Sequence, residues 1–223
     1  VSNFVSFKDT PIELQKKIIK ENFNKQNEFD FNKIIPMPKE LDIEESSDTE
    51  MGMVIVSNDL KHCSYLTIEE LKNRFEQRTK EQQEKILSLG KQALSNIEKY
   101  GCKSWYDFAC NKWGTKWNAY SSYIENVSNN NFEESFMNLR NDITFSFQTA
   151  WSTPLPIFEA LSKKYPEATF YIEYADEDMG SNCGYFEIKN GETLDYNNDK
   201  TDSSENWKAV SYTHLTLPTM IGV

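Results

Sequence analysis

The sequence predicts an α+β fold, an antiparallel sheet with helices on one face and a helical insertion, and three observations carry that prediction. Short-period alternation of β-branched and aromatic residues opens the chain and dominates its later half. Helical periodicity punctuated by cap residues fills the middle, from about residue 55 to about residue 112. A strand, helix, strand order recurs near both ends of the chain, and split βαβ units are built in that order.

Residues 1–7 (VSNFVSF) read as a strand; Thr10-Pro11-Ile12-Glu13 then supplies an N-cap, a proline at the first helical position and an acidic first turn. Ile12, Leu14, Ile18 and Ile19 stripe that helix to about Phe23. The run from Phe29 to Ile35 is extended and ends in a stiff Pro36-Met37-Pro38 loop, since proline cannot donate to a ladder. Residues 39–53, acidic and poor in apolar side chains, are expected to form a mobile excursion. Thr67 and Glu70 form a capping box, and a helix between Lys80 and Tyr100 aligns Ile86, Leu89, Leu94 and Ile97. Gly90 is expected to weaken or bend that helix, Gly101 to cap its end, and Ser104 to open a short helix reaching about Lys112. Strands follow at 117–126, 143–151, 169–174 and 184–188, with one helix from Leu155 to Lys164. This is the order of a ferredoxin-like sandwich, a single domain over residues 1–208 with an insertion at about 55–112.

Composition narrows the function classes. With 223 residues, 38% of them apolar, the chain can bury a substantial core. It has no apolar run of eighteen residues and no basic stretch followed by an apolar signal core, so neither a membrane nor a secretory path is expected. Cys63, Cys102, Cys110 and Cys183 have no framework spacing and read as free thiols. Residues 209–223 are set apart: back-translated, residues 209–219 resemble the transposase adapter of short-read libraries, and the frame closes after Val223. They are expected to be a non-native tail, which removes His214 as a ligand.

The net charge of -11 is unevenly spread: residues 71–120 carry 10 basic and 5 acidic side chains, whereas 121–208 carry 6 and 16. The overall acidity disfavours unspecific nucleic-acid binding. The basic middle, Lys72 to Lys116, is expected to be a solvated face, with docking on an acidic partner or on the acidic remainder of its own chain as the alternatives.

The most specific text is a pair of aromatic blocks, residues 111–120 (NKWGTKWNAY) and 149–156 (TAWSTPLP). Trp113 and Trp117 are expected to flank a helix-to-strand corner ended by Gly114, with Trp117, Ala119, Ser121 and Tyr123 on one strand face. Phe145, Phe147, Thr149 and Trp151 share the apolar face of the next strand, and Ser152 or Thr153 caps the helix after it. Packing is thus the expected role of these tryptophans. The functional alternative is an aromatic platform beside Lys116 and Asn118 for a base, a sugar or a peptide.

These two blocks, with the run from Phe29 to Leu41 and the segment from Tyr174 to Gly180, resemble the YubB-like family of ferredoxin-like domain proteins carried by phages and plasmids. The resemblance implies a fold, a mobile-element origin and a place in the cytoplasm of a bacterial host. It supplies no catalytic residues. Among the chain's own residues, His62-Cys63 with Cys102 and Cys110 lacks a standard zinc spacing, and no glycine-rich phosphate loop or serine elbow occurs. Asp176, Glu177 and Asp178, near Glu173, are the remaining candidates, for a hard cation or for acid-base chemistry in a metal-dependent hydrolase. A charged hairpin loop explains them more simply. The sequence therefore points away from an enzyme, with no cofactor and no metal assigned. It favours an accessory protein that binds another protein through Trp113, Lys116, Trp117, Asn118, Trp151 or the acidic loop. A nucleic-acid module using the basic segment 71–116 stands second.

Overall fold

The computed structural model describes residues 1–62, 66–128, 131–177 and 182–197. Their contacts divide into two compact units, one from residues 1–36 and 112 onward, the other from Met37–Asn111.

The first unit is built on a six-stranded sheet in the order β2-β3-β1-β4-β5-β6, every neighbour antiparallel. Its strands are β1 (Ser2–Lys8), β2 (Tyr120–Ile124), β3 (Phe145–Gln148), β4 (Thr169–Ala175), β5 (Gly184–Lys189) and β6 (Glu192–Asn197). Because β3 separates β1 from β2, and β1 separates β3 from β4, the chain forms two interlocked split βαβ units. Helix α1 (Ile12–Asn22) crosses in the first. The first four strands and two crossing helices make a ferredoxin-like α+β sandwich, which β5 and β6 extend at one edge.

Alternation decides which face is covered. Val5 and Phe7, Phe145 and Phe147, Phe170 and Ile172, Phe186 and Ile188 are all buried, and between them run partly exposed residues. The core is rich in phenylalanine: the fully buried Phe29 ring lies 5.1–5.5 Å from Phe23, Phe31, Phe145 and Phe147. Phe158, on the later crossing helix spanning Leu155–Lys164, meets Phe147, Phe170 and Phe186. The two crossing helices are joined at their ends. Tyr165 donates its hydroxyl to Glu21 and accepts from Asn22, and Lys164 reaches Asn22.

The second unit is helical. It contains α2 (Ser47–Ser57), α3 (Ile68–Glu76), α4 (Lys80–Tyr100) and α5 (Trp105–Phe108), the last continuing as a π-helical turn to Trp113. The capping box at Thr67 and Glu70 forms as expected, Thr79 and Gln82 make another, and Gly101 ends α4 in the left-handed conformation. The first unit's remaining helices are α6 (Phe132–Met137) and α7, the Leu155–Lys164 helix already met.

The expected mobile excursion at 39–53 is corrected. It holds a 3-10 turn at Lys39–Leu41 and most of α2, with Met51, Met53 and Val54 buried. The role expected of Gly90 changes with it. A Cβ on Gly90 would coincide with backbone of Gly52, and one on Gly52 would meet the Ile86 carbonyl, so the glycines let α2 and α4 cross backbone to backbone. Two smaller expectations also change. Thr10 does not cap α1; its hydroxyl donates to the Lys8 carbonyl and accepts the Thr169 amide, tying the ends of β1 and β4. Ser152 does not cap α7; it donates to the Gly114 carbonyl.

Candidate interaction surface

The two aromatic blocks, distant in sequence, interlock. Gly114, with φ of 76°, turns the chain against Pro156, whose Cδ would lie 2.8 Å from any added Cβ. Thr115 donates to the Ala150 carbonyl at 2.6 Å, Ser152 bonds back to Gly114, and Thr149 donates to the Ser152 carbonyl at 2.8 Å. Thr115 and Thr149 are buried, so these bonds are made away from water and fix the corner.

This corner divides its tryptophans. Trp113 is 4% exposed, lies edge-on to Phe31 at 5.8 Å, and satisfies its indole N–H on the Ile35 carbonyl at 2.9 Å. It packs as expected. Trp117 is 45% exposed and Trp151 60%, which corrects the packing role assigned to them. The reason differs at each. β3 ends at Gln148, so the alternation that would carry Trp151 inward stops before reaching it, and Trp151 takes a left-handed φ of 71°. Such a φ costs a bulky side chain about 1–3 kcal/mol. Trp117 precedes β2, whose first residue is Tyr120; Ala119 turns inward instead. A bulge between Tyr120 and Tyr123, with Ser121 at φ 53°, then shifts the parity, leaving Ile124 buried and Tyr123 47% exposed.

Lys116 joins the two exposed rings. Its ammonium lies 4.5 Å from the Trp117 centroid and 4.8 Å from that of Trp151. Asn118 is committed elsewhere: its side chain accepts the Phe31 and Ala119 amides and donates to Asp30, holding the loop after α1. Asp176 accepts from the Glu177 amide and from Asn182, and the same Asn182 amide group donates to the Trp151 carbonyl at 2.9 Å. The acidic loop thus buttresses Trp151. Asp178 lies outside the described residues, as do Cys63, His214 and the tail at 209–223. Among the described residues no group of three or more His, Cys, Asp or Glu side chains is placed to hold a metal ion.

A second surface was not singled out from sequence. The sheet face turned away from the helices carries Phe4, Tyr120, Tyr123, Tyr171 and Tyr185, with Ser146 and Gln148, between Glu173, Glu187 and Asp195. Tyr171 and Tyr185 lie 5.5 Å apart. Burial, then the neighbouring Glu173 charge, pushes the Tyr171 hydroxyl up to about 12. Lys8 stands over the Tyr171 ring at 4.4 Å and pairs with Glu187; that hydrogen bond is the main reason its pKa is raised. The signal for this face was available: in β4 and β5 the positions alternating with buried apolar residues are Tyr171, Glu173, Tyr185 and Glu187.

Four side chains of the basic segment are paired inside their own unit. Arg78 pairs with Asp48, Lys85 with Glu44, Lys99 with Glu40, and Lys103 with Glu45 and Glu50. The expected solvated face is present, since Lys72, Arg74, Arg78, Lys80, Lys85, Lys91 and Lys99 are exposed, and part of it also pairs with the acidic segment 40–50, as the self-docking alternative has it.

A family model agrees with the fold. Residues 112–215 match the family model described as the ferredoxin-like domain in Api92-like protein. The chain is also similar to the crystal structure of a protein Api92 from Yersinia pseudotuberculosis, at 9% identity and a TM-score of 0.37, over 91% of this chain and 98% of that one. No curated protein matches the chain. Among the described residues no helix is long and apolar enough to cross a membrane.

Proposed function

We propose that this protein is an accessory protein of a phage or plasmid that works in the bacterial cytoplasm by binding another protein, and that Trp117, Lys116 and Trp151 are the heart of its interface. The carrying observation is the exposed tryptophan pair held on a rigid corner. Exposing two indoles forgoes burial that would stabilise the fold, and the left-handed Trp151 adds a conformational cost, so the arrangement serves something outside the fold. Rigid aromatic side chains are the usual anchors of protein interfaces. The resemblance to mobile-element proteins supports the setting, and gene neighbourhood on the source contig tests it.

The nucleic-acid reading stands second because Arg78, Lys85, Lys99 and Lys103 already face carboxylates. The corner is tested by affinity capture from a host extract with the full chain and with a Trp117→Ala, Trp151→Gly variant. The reading expects a reproducible partner that the variant loses while its thermal transition stays. A variant that captures the same partner equally well would remove the corner from the interface.

A further inference from the structure

Resting on the reading of the sheet-bearing unit as a protein-binding module, we infer that its open sheet face receives an extended partner segment carrying arginine or lysine side chains. The face combines two features a cation seeks. Aromatic rings offer their negative faces, and carboxylates stand between them in register: Glu173 is opposite Phe4 and Tyr185, and Glu187 is opposite Tyr171 and Asp195.

The molecule already uses the surface this way. Lys8 places its ammonium over Tyr171 while bonding to Glu187, and Lys116 spans Trp117 and Trp151 at the end of the same sheet. Glu173 and Asp195 have no lysine partner among the described ion pairs. They are instead approached by tyrosine hydroxyls, from Tyr171 at 3.4 Å and Tyr185 at 3.3 Å, and Asp195 also accepts the Tyr196 amide at 2.8 Å, which leaves each carboxylate lone pairs for a further donor.

Charge complementarity selects the occupant. Residues 121–208 carry 16 acidic and 6 basic side chains. On the face itself Lys189 lies beside Thr169 at the end where Lys8 also sits, and Glu173 lies toward the other end, beyond which Lys116 is held between its two tryptophans. A phosphate backbone laid across these tyrosines would meet Glu173, Glu187 and Asp195, whereas a basic peptide would find the same carboxylates as partners. The same groups disfavour an anionic partner.

The test is fluorescence anisotropy of the full chain with three labelled probes: a short arginine-serine repeat peptide, its glutamate-serine counterpart and a single-stranded RNA. The arginine peptide is expected to bind at least about tenfold more tightly than the other two, with affinity falling between about 50 and about 200 mM salt. A Glu173→Gln, Asp195→Asn variant keeps side-chain shape and should weaken the arginine peptide about tenfold with an unchanged thermal transition. Equal binding of both peptides, tighter RNA binding, or full affinity in the double carboxylate variant each overturns the proposal. If the arginine peptide fails while capture still depends on Trp117 and Trp151, the interaction module stands and this assignment of its partner falls.

Discussion

The helical unit and the sheet-bearing unit treat their specific residues in opposite ways. In the helical unit two glycines become a helix crossing, and Arg78, Lys85, Lys99 and Lys103 pair with carboxylates of residues 40–50. In the sheet-bearing unit, buried hydrogen bonds hold a corner whose two large rings are then left in water. One unit spends its chemistry on itself. The other invests structure in a surface, and that contrast locates the search for function.

The sharpest way to break the comparison is Gly90→Leu. Any side chain at Gly90 would overlap Gly52 backbone, so α2 and α4 must separate and the buried Met51, Val54 and Ile86 cluster with them. The expected cost is upward of about 4 kcal/mol, enough to remove a cooperative transition from that unit. Gly101→Ala is the control, since nothing lies within 4 Å of its added Cβ and only the left-handed φ of 71° is penalised, by about 1 kcal/mol. Chemical denaturation followed by amide exchange would separate the two. A Gly90→Leu protein with its helical amides still protected would show that the crossing is not needed.

Next in size is the contrast inside the corner. Trp113→Ala empties a core position and strands the Ile35 carbonyl, with an expected loss of about 3–5 kcal/mol. Trp151→Gly removes an exposed ring and relieves a left-handed backbone, so stability should hold or rise by about 1 kcal/mol. Equal destabilisation by the two, measured as denaturation midpoints, would mean that Trp151 packs as Trp113 does and the division of roles is wrong.

Much of this was legible because the signals were local. The capping box at Thr67, the terminal Gly101, the turn at Gly114 and the bounds of α7 each depend on neighbouring residues, and each is where the pattern put it. The β5–β6 hairpin was legible too but not read: Asn190 and Gly191, both at positive φ, are the strongest short hairpin signal a sequence offers. Other features were beyond local reading. α2 has acidic residues in its first turn, which suit a helix N-terminus, but carries a glycine in its interior, and it packs closely because Gly90, far along the chain, offers the backbone it crosses. The exposure of Trp117 and Trp151 depends on where strands end and on a bulge, and a two-residue period cannot report either.

The smallest effect is electrostatic, and its sign sharpens the comparison. Glu44 is held below the ordinary carboxylate range mainly by its hydrogen bond from Lys85, and Glu40 by its own backbone amide and then Tyr100. Depressed folded-state values mean that their stabilisation is present above the unfolded carboxylate range and fades as pH falls through the folded values. Tyr165, in the sheet-bearing unit, runs the other way: burial, then its bond to Glu21, raises it to about 12. Its contribution is complete below the unfolded value of 10.0 and is lost as pH rises toward about 12. Amide exchange across a pH series should therefore show mild acid loosening around residues 40–50 and α4, and alkaline loosening where α1 meets α7. Glu44→Gln should blunt the first without touching the second, and Tyr165→Phe the reverse. If either substitution alters both limbs alike, the charges of the two units are coupled and the helical unit's self-neutralisation is not a private matter.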